Sequence, residues 1–191
     1  MNLTKLLERC RSYRRFEQKR IPHQLLLLMI DAARLSNSAM NAQRLRYVVV
    51  ESPDKVETLQ PLVTWAAKLP REIATPFKDE QPTAFIACLT PKNATRYDYI
   101  DLGLAAHAMT LTACEAGVGS CMLGAIKADK IAEILDVDDD MHVELLIALG
   151  YPAHSSTVVE GPEGGDLSYY VDDKRDYYVP KLPVSALARF V

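Results

Sequence analysis

The chain has 191 residues, 49% of them hydrophobic and 25% charged, with a net charge of −3 at pH 7. That length carries one ordinary domain with its own core, and the near-neutral balance provides neither a basic surplus for nucleic acid nor an acidic block for a disordered tail. The opening MNLTKLLERC has no long apolar core and no small-residue cleavage site, the apolar run 25–30 is too short to span a bilayer, and the cysteines at 10, 88, 114 and 121 form no CxxC pair. The expectation is a cytoplasmic protein with reduced thiols and with no membrane or nucleic-acid partner.

In chain order, residues 3–10 read as a short helix, and the cationic turn RSYRRF interrupts it. Pro22 opens a second helix, with Leu25, Leu28, Met29 and Ala32 along its apolar face. Residues 36–45 are small and polar and form a loop, 47–50 is a β-branched strand, and Pro53 starts a helix to about residue 68. The stretch 69–82, with prolines at 70, 76 and 82, is the best candidate for an excursion or lid. A buried strand follows at 83–90, then a long helix capped by Asp98 or Asp101 and ended by Gly117. That helix is apolar around most of its surface, as expected of a central or interface helix. Strands at 119–123 and 143–150 flank a helix at 127–135. The tail, 151–191, is rich in Pro, Tyr and charge and has little core pattern, which fits a segment that wraps a neighbour. The alternation of helices and buried strands predicts a three-layer α+β domain.

Three segments carry chemistry. In Arg11-Ser12-Tyr13-Arg14-Arg15-Phe16, guanidinium groups close to a serine hydroxyl can grip a phosphate; the same residues also fit a solvated basic surface or a protein-partner patch. In Ser36-Asn37-Ser38-Ala39-Met40-Asn41-Ala42-Gln43, small residues allow close approach of a flat ligand and the amides supply donors and acceptors; a plain polar loop is the alternative. The segment 116–124, AGVGSCMLG, passes from helix end through a turn into a strand; it fits a backbone that approaches a flavin, and equally an ordinary glycine C-cap. It follows a helix rather than a strand, so it is no dinucleotide fingerprint. The acidic run 136–140 fails as a calcium loop, because its sixth position is Met141 and its twelfth is Ile147. The histidines lack metal-ligand spacing; His107, on the long helix, reads as a buried or interface residue, and Cys121 as a small strand residue.

Taken together, these segments resemble the nitroreductase family. The resemblance rests on Arg11-Ser12-Tyr13-Arg14-Arg15-Phe16, Ser38-Ala39-Met40-Asn41-Ala42-Gln43, Asp101-Leu102-Gly103-Leu104-Ala105, Gly117-Val118-Gly119-Ser120-Cys121-Met122-Leu123-Gly124 and Val179-Pro180-Lys181, in order over nearly the whole chain. It implies a single nitroreductase-like α+β domain over 1–191, with a central mixed sheet flanked by helices and with 150–191 as an extended dimerisation tail. It implies a homodimer that binds FMN, uses NADH or NADPH, and reduces small acceptors such as nitroaromatics or quinones by ping-pong turnover. Arg11, Ser12 and Lys181 then look like contacts of the phosphate and ribityl chain, and Arg14 like the cation near the pyrimidine edge; Tyr13 belongs to the same turn. Asn37, Ser38, Ala39 and Asn41 look like a loop reaching the flavin from the partner subunit, Leu123, Gly124 and Ala125 like the backbone passing its N5, and Met122 like a further cofactor contact. No side chain is given a catalytic role, since the cofactor carries the chemistry. The chain departs from the family's frequent pattern at Cys10, at Arg44 and Leu45, at Met122 and at Ala125. Two rivals stand beside this reading: a flavin-binding or flavin-sensing module without turnover, and a flavin-free module that binds an anion or a protein partner.

Overall fold

The computed structural model describes residues 2–191. In chain order it runs through α1 (Leu3–Arg9), β1 (Phe16–Glu17), α2 (His23–Leu35), β2 (Arg46–Val50), α3 (Pro53–Leu59), α4 (Arg71–Ala74), β3 (Ala84–Pro91), α5 (Arg96–Glu115), β4 (Gly119–Leu123), α6 (Ala128–Leu135), β5 (Met141–Pro152), β6 (Ser156–Glu160), β7 (Tyr170–Val171), β8 (Tyr177–Lys181) and α7 (Val184–Leu187). Short 3₁₀ turns occupy Ala39–Asn41, Gln60–Leu62 and Lys78–Glu80.

β3 and β5 form the centre, because both are apolar on both faces. Side chains alternate across a strand, so each face needs its own cover. Ala84, Ile86 and Cys88 of β3, with Ile147 and Leu149 of β5, pack against α2 and α5. Phe85, Ala87 and Leu89, with Leu146 and Ala148, pack on the opposite side against α3, α6 and Trp65. The result is the expected three-layer α+β domain. In the main sheet β5 pairs antiparallel with β3, β4 and β1, and β3 with β2. Parallel pairing enters through the bridge between Ser12 and Ser120 and through β6 with β8 in a second, three-stranded sheet. Among the described residues no helix is long and apolar enough to cross a membrane.

Three details differ from the sequence expectations. The helix begun at Pro53 stops at Leu59 rather than near 68, because Pro61 has no N–H to continue the ladder; the chain tightens to a 3₁₀ turn, and Val63 then bridges Ile126. The long helix starts at Arg96: Thr95 is its cap and Asp98 closes a capping box, so neither Asp98 nor Asp101 is the N-cap. In α2 the buried stripe is Leu26, Met29 and Ala33, whereas Leu28 is 51% exposed; four consecutive leucines fit any helical phase, and packing on α5 selects one. Within its own chain the tail pairs as far as Lys181, with Tyr177 buried in a parallel ladder beside β6.

The excursion at 69–82 is clasped rather than loose. Glu80 pairs with Arg15 at 3.3 Å and with Arg175 at 3.1 Å, and the Arg175 guanidinium lies 4.6 Å from the Phe77 ring centroid. Burial alone would raise the Glu80 carboxyl; the Phe77 N–H and the two guanidinium groups outweigh it and hold the carboxyl below its usual range.

Candidate active site

The cationic turn is seated by two glycines. Gly119 of β4 and Gly150 of β5 are register partners. A Cβ on Gly119 would stand 2.9 Å from the Tyr13 ring, and one on Gly150 would stand 2.7 Å from Phe16. Absence of a side chain at these two positions lets residues 13–16 lie flat on the sheet. The Tyr13 amide then donates to the Ser120 carbonyl at 2.8 Å.

Beside this turn lies a cleft of about 390 Å³, lined among others by Arg11, Ser12, Arg14, Met122, Tyr169 and Lys181. Among the described residues no carboxylate lines it, so its fixed charge is positive. Arg14 is the best-held member. It is only 9% exposed, and its guanidinium carbon lies 4.7 Å from the Tyr169 ring centroid and 4.8 Å from that of Tyr177. Its Nη1 donates to the Ser12 carbonyl at 3.2 Å, while its buried Nε has no acceptor among the described residues. Arg11 is anchored to the end of α1 by Nη2 donating to the Leu7 carbonyl, and its Nε is likewise buried without an acceptor. Buried donors without partners are costly, so both side chains fit a cleft built for an acceptor-rich anion.

His154 fixes the backbone of Arg14. Its Nε2 accepts the Arg14 amide at 3.0 Å, and its Nδ1 donates to the Ser155 carbonyl at 2.7 Å. That pair of bonds requires the neutral ring protonated at Nδ1. Burial pushes the His154 pKa down to about 4; the Arg15 and Arg14 charges add to the shift, and the Ser155 carbonyl and Asp176 oppose it.

The loop 36–43 is built differently. Met40, Asn41 and Gln43 all have positive φ, between 48° and 56°. The buried Asp101 holds this strained path: Ser38 Oγ donates to it at 2.8 Å, and the Ala39 amide reaches its two oxygens at 3.0 and 3.1 Å. The Gln43 amide closes the turn onto Ser38 Oγ at 3.0 Å. Arg44 docks the end of the loop on Asp98 at 2.9 Å.

Not all predicted site residues meet within one chain. Arg11, Ser12, Arg14, Met122 and Lys181 share the cationic cleft, and Tyr13 supports it from the sheet side. Asn37 and Ser38 line a separate cavity of about 280 Å³ with Asp101 and Tyr47. Ala39 sits on Asp101, and Asn41 is exposed. Leu123 is 4% exposed and packs in the core. Gly124 and Ala125 lie on the surface without lining the cleft, and the Ala125 carbonyl accepts the Thr64 amide at 2.9 Å. His107 is exposed and lines the cationic cleft instead of being buried.

Sequence reading missed Asp101, His154, Tyr169 and Tyr177 as parts of this machinery. The tyrosines were visible as a compositional bias of the tail, and Asp101 as a motif residue mistaken for a cap. Nothing local marks His154, which meets Arg14 only through the tertiary fold.

A model of the nitroreductase family matches residues 7–151. A relative in Archaeoglobus fulgidus, carrying the provisional name NADH dehydrogenase/NAD(P)H nitroreductase, is 25% identical over 167 residues, 83% of this chain and 90% of the relative. The fold is shared with a nitroreductase family protein of Streptococcus pneumoniae at a TM-score of 0.73 and 19% identity, with 100% of both chains covered. It is also shared with an FMN-dependent nitroreductase of Clostridium difficile at 0.67 and 20% identity, covering 90% of this chain and 99% of that one. A match that spans most of the chain, on a fold common to these proteins, makes this chain a member of the nitroreductase family.

Proposed function

We propose that the protein is an FMN-dependent oxidoreductase, acting as a homodimer with NADH or NADPH on small oxidised acceptors such as nitroaromatics or quinones. One observation carries the reading: the deeply buried Arg14 guanidinium, with an unpartnered Nε, lines a carboxylate-free cleft together with Arg11, Ser12 and Lys181. The donor set fits FMN, which needs cations and a hydroxyl for its phosphate and a fixed positive charge for its pyrimidine edge. When bound, FMN would supply the two-electron redox chemistry between a reduced nicotinamide and the acceptor.

The chain's own residues supply grip and electrostatics. Arg11, Ser12 and Lys181 would hold the phosphate and ribityl chain. Arg14 would stabilise negative charge at the ring edge; its rings of Tyr169 and Tyr177 and its His154 anchor hold it in place before any ligand arrives, so little reorganisation is needed. Asn37, Ser38, Ala39 and Asn41 lie outside the cleft of their own chain, and a partner subunit is the natural recipient of that loop. The exposed apolar residues of α5 and of the last ten residues support the same dimer. Names of the relatives, a nicotinamide nitroreductase and an FMN-dependent nitroreductase, agree with the assignment.

The absorbance spectrum of the purified protein, with and without added FMN, is the first test. Flavin bands that bleach on anaerobic addition of NADH or NADPH and return with an acceptor are the expected result. Parallel lines in double-reciprocal plots would mark ping-pong turnover. Flavin that binds but stays oxidised would make the protein a flavin-binding module. No uptake of FMN would sink the reading entirely.

A further inference from the structure

The four thiols are placed unequally. Cys88 and Cys121 are 0% and 4% exposed, inside the core layers on the two faces of the sheet. Cys10 is half-buried at the C-terminal cap of α1 and lines the cationic cleft. Cys114 lies in the last turn of α5, buried directly behind it. Both reach a single carbonyl: Leu6 O accepts the Cys10 amide at 2.8 Å and the Cys114 thiol at 3.9 Å. Cys10 is therefore reachable from the cleft, and Cys114 stands behind it, shielded, on the same carbonyl.

We propose that Cys10 and Cys114 are a peroxide-oxidisable dithiol whose disulfide joins the end of α1 to the end of α5 at the wall of the cleft. The half-buried Cys10 sulfur, as thiolate, attacks one oxygen of a hydroperoxide. The O–O bond breaks, the departing oxygen takes a proton as water or an alcohol, and Cys10 is left as a sulfenic acid. The Cys114 sulfur then attacks the Cys10 sulfur; the S–O bond breaks, water leaves with the Cys114 proton, and the S–S bond forms. Two sulfurs lose two electrons and the hydroperoxide gains them. Burial and the neighbouring Cys10 raise the Cys114 thiol, with Arg9 and Arg11 opposing, which suits the resolving rather than the attacking role. The bond would restrain the chain between these positions and fix the start of the Arg11–Ser12 turn.

The purified protein treated with hydrogen peroxide tests this. Expected are the loss of two of its four thiols on titration after denaturation, a Cys10–Cys114 cross-linked peptide lighter by two hydrogens, and a higher Tm, all reversed by dithiothreitol. In Cys114→Ser, Cys10 should stop at a sulfenic acid that dimedone captures; in Cys10→Ser, no thiol should be lost. Retention of all four thiols in the unaltered protein would overturn the proposal. So would oxidation of Cys10 without a cross-link to Cys114, or a cross-link found only between two chains.

Discussion

Arg14 combines two properties that rarely coexist. It is nearly inaccessible, yet most of its donor capacity is not used by the protein. The two neighbouring tyrosine rings, their centroids 6.1 Å apart, offset part of its desolvation through cation–π attraction, and the remaining donors are left for an acceptor. Arg14→Ala should therefore raise the Kd for FMN by about 10- to 100-fold, the equivalent of one charge-assisted hydrogen bond. Arg14→Lys should recover only part of that loss, since an ammonium keeps the charge but not the planar stack. Fluorescence titration of the apoprotein reads both, and an unchanged Kd in Arg14→Ala would remove Arg14 from the site. The anchor beneath it is acid-sensitive. His154 is held neutral, with a folded pKa of about 4 against an ordinary value of 6.5. Between these values the unfolded chain binds more protons, so stability rises with pH; the contribution is complete above 6.5 and is lost as pH falls towards 4. With partial exposure discounted, it is on the order of 2 kcal/mol. Urea denaturation from pH 7 to pH 4 should show this acid limb, and His154→Gln should flatten it.

At the level of elements, α5 organises both halves of the candidate site. Its first turns carry Asp98, which receives Arg44, and Asp101, which receives Ser38 and Ala39. The Thr95 N–H, followed by the Thr95 hydroxyl and the Arg44 guanidinium, holds the Asp98 carboxyl below its usual range against the opposing effect of burial. Asp101→Ala would leave the Ser38 hydroxyl and the Ala39 amide without their acceptor and release a loop with three positive-φ residues. A loss of about 1–3 kcal/mol in chemical denaturation is expected, whereas Asp101→Asn, which keeps an acceptor oxygen, should lose less. Equal stability of all three proteins would show that the loop does not depend on this carboxylate. Such dependence explains what the sequence made legible. β3, β5, α6 and the cationic turn were readable, because apolar runs and a dense charge cluster are local signals. The start of α5 was misplaced since Thr95, Asp98 and Asp101 all fit an N-terminal turn, and only the backbone separates cap, box and loop anchor. The phase of α2 was lost in its leucine run. Tyr169, Tyr177 and His154 were invisible as site residues because their role exists only once the tail folds back over Arg14.

Across the whole molecule, the apolar surface is distributed unevenly. Ile100 and Leu104 of α5 are 50% and 46% exposed, and an added Cβ on Gly103 between them meets nothing within 4 Å. One turn further along, His107 already lines the cationic cleft, so this open face and the cleft are continuous. At the other end of the chain Val184, Leu187 and Phe190 are 71%, 69% and 89% exposed. Exposed apolar groups concentrated in this way fit the proposed homodimer, in which a second copy placed on the α5 face would lie against the cleft. Dimerisation and FMN binding should then fail together. Leu104→Glu places a carboxylate in the proposed interface, where burial without a partner costs several kcal/mol. The dimer Kd should rise at least about a hundredfold, and the FMN affinity should fall with it, although Leu104 does not line the cleft of its own chain. Sedimentation velocity and FMN titration on the same preparation read the two quantities, and circular dichroism checks that the monomer remains folded. A folded monomer that keeps full FMN affinity would show that one chain completes the site alone, and the loop 36–43 would then need a different role.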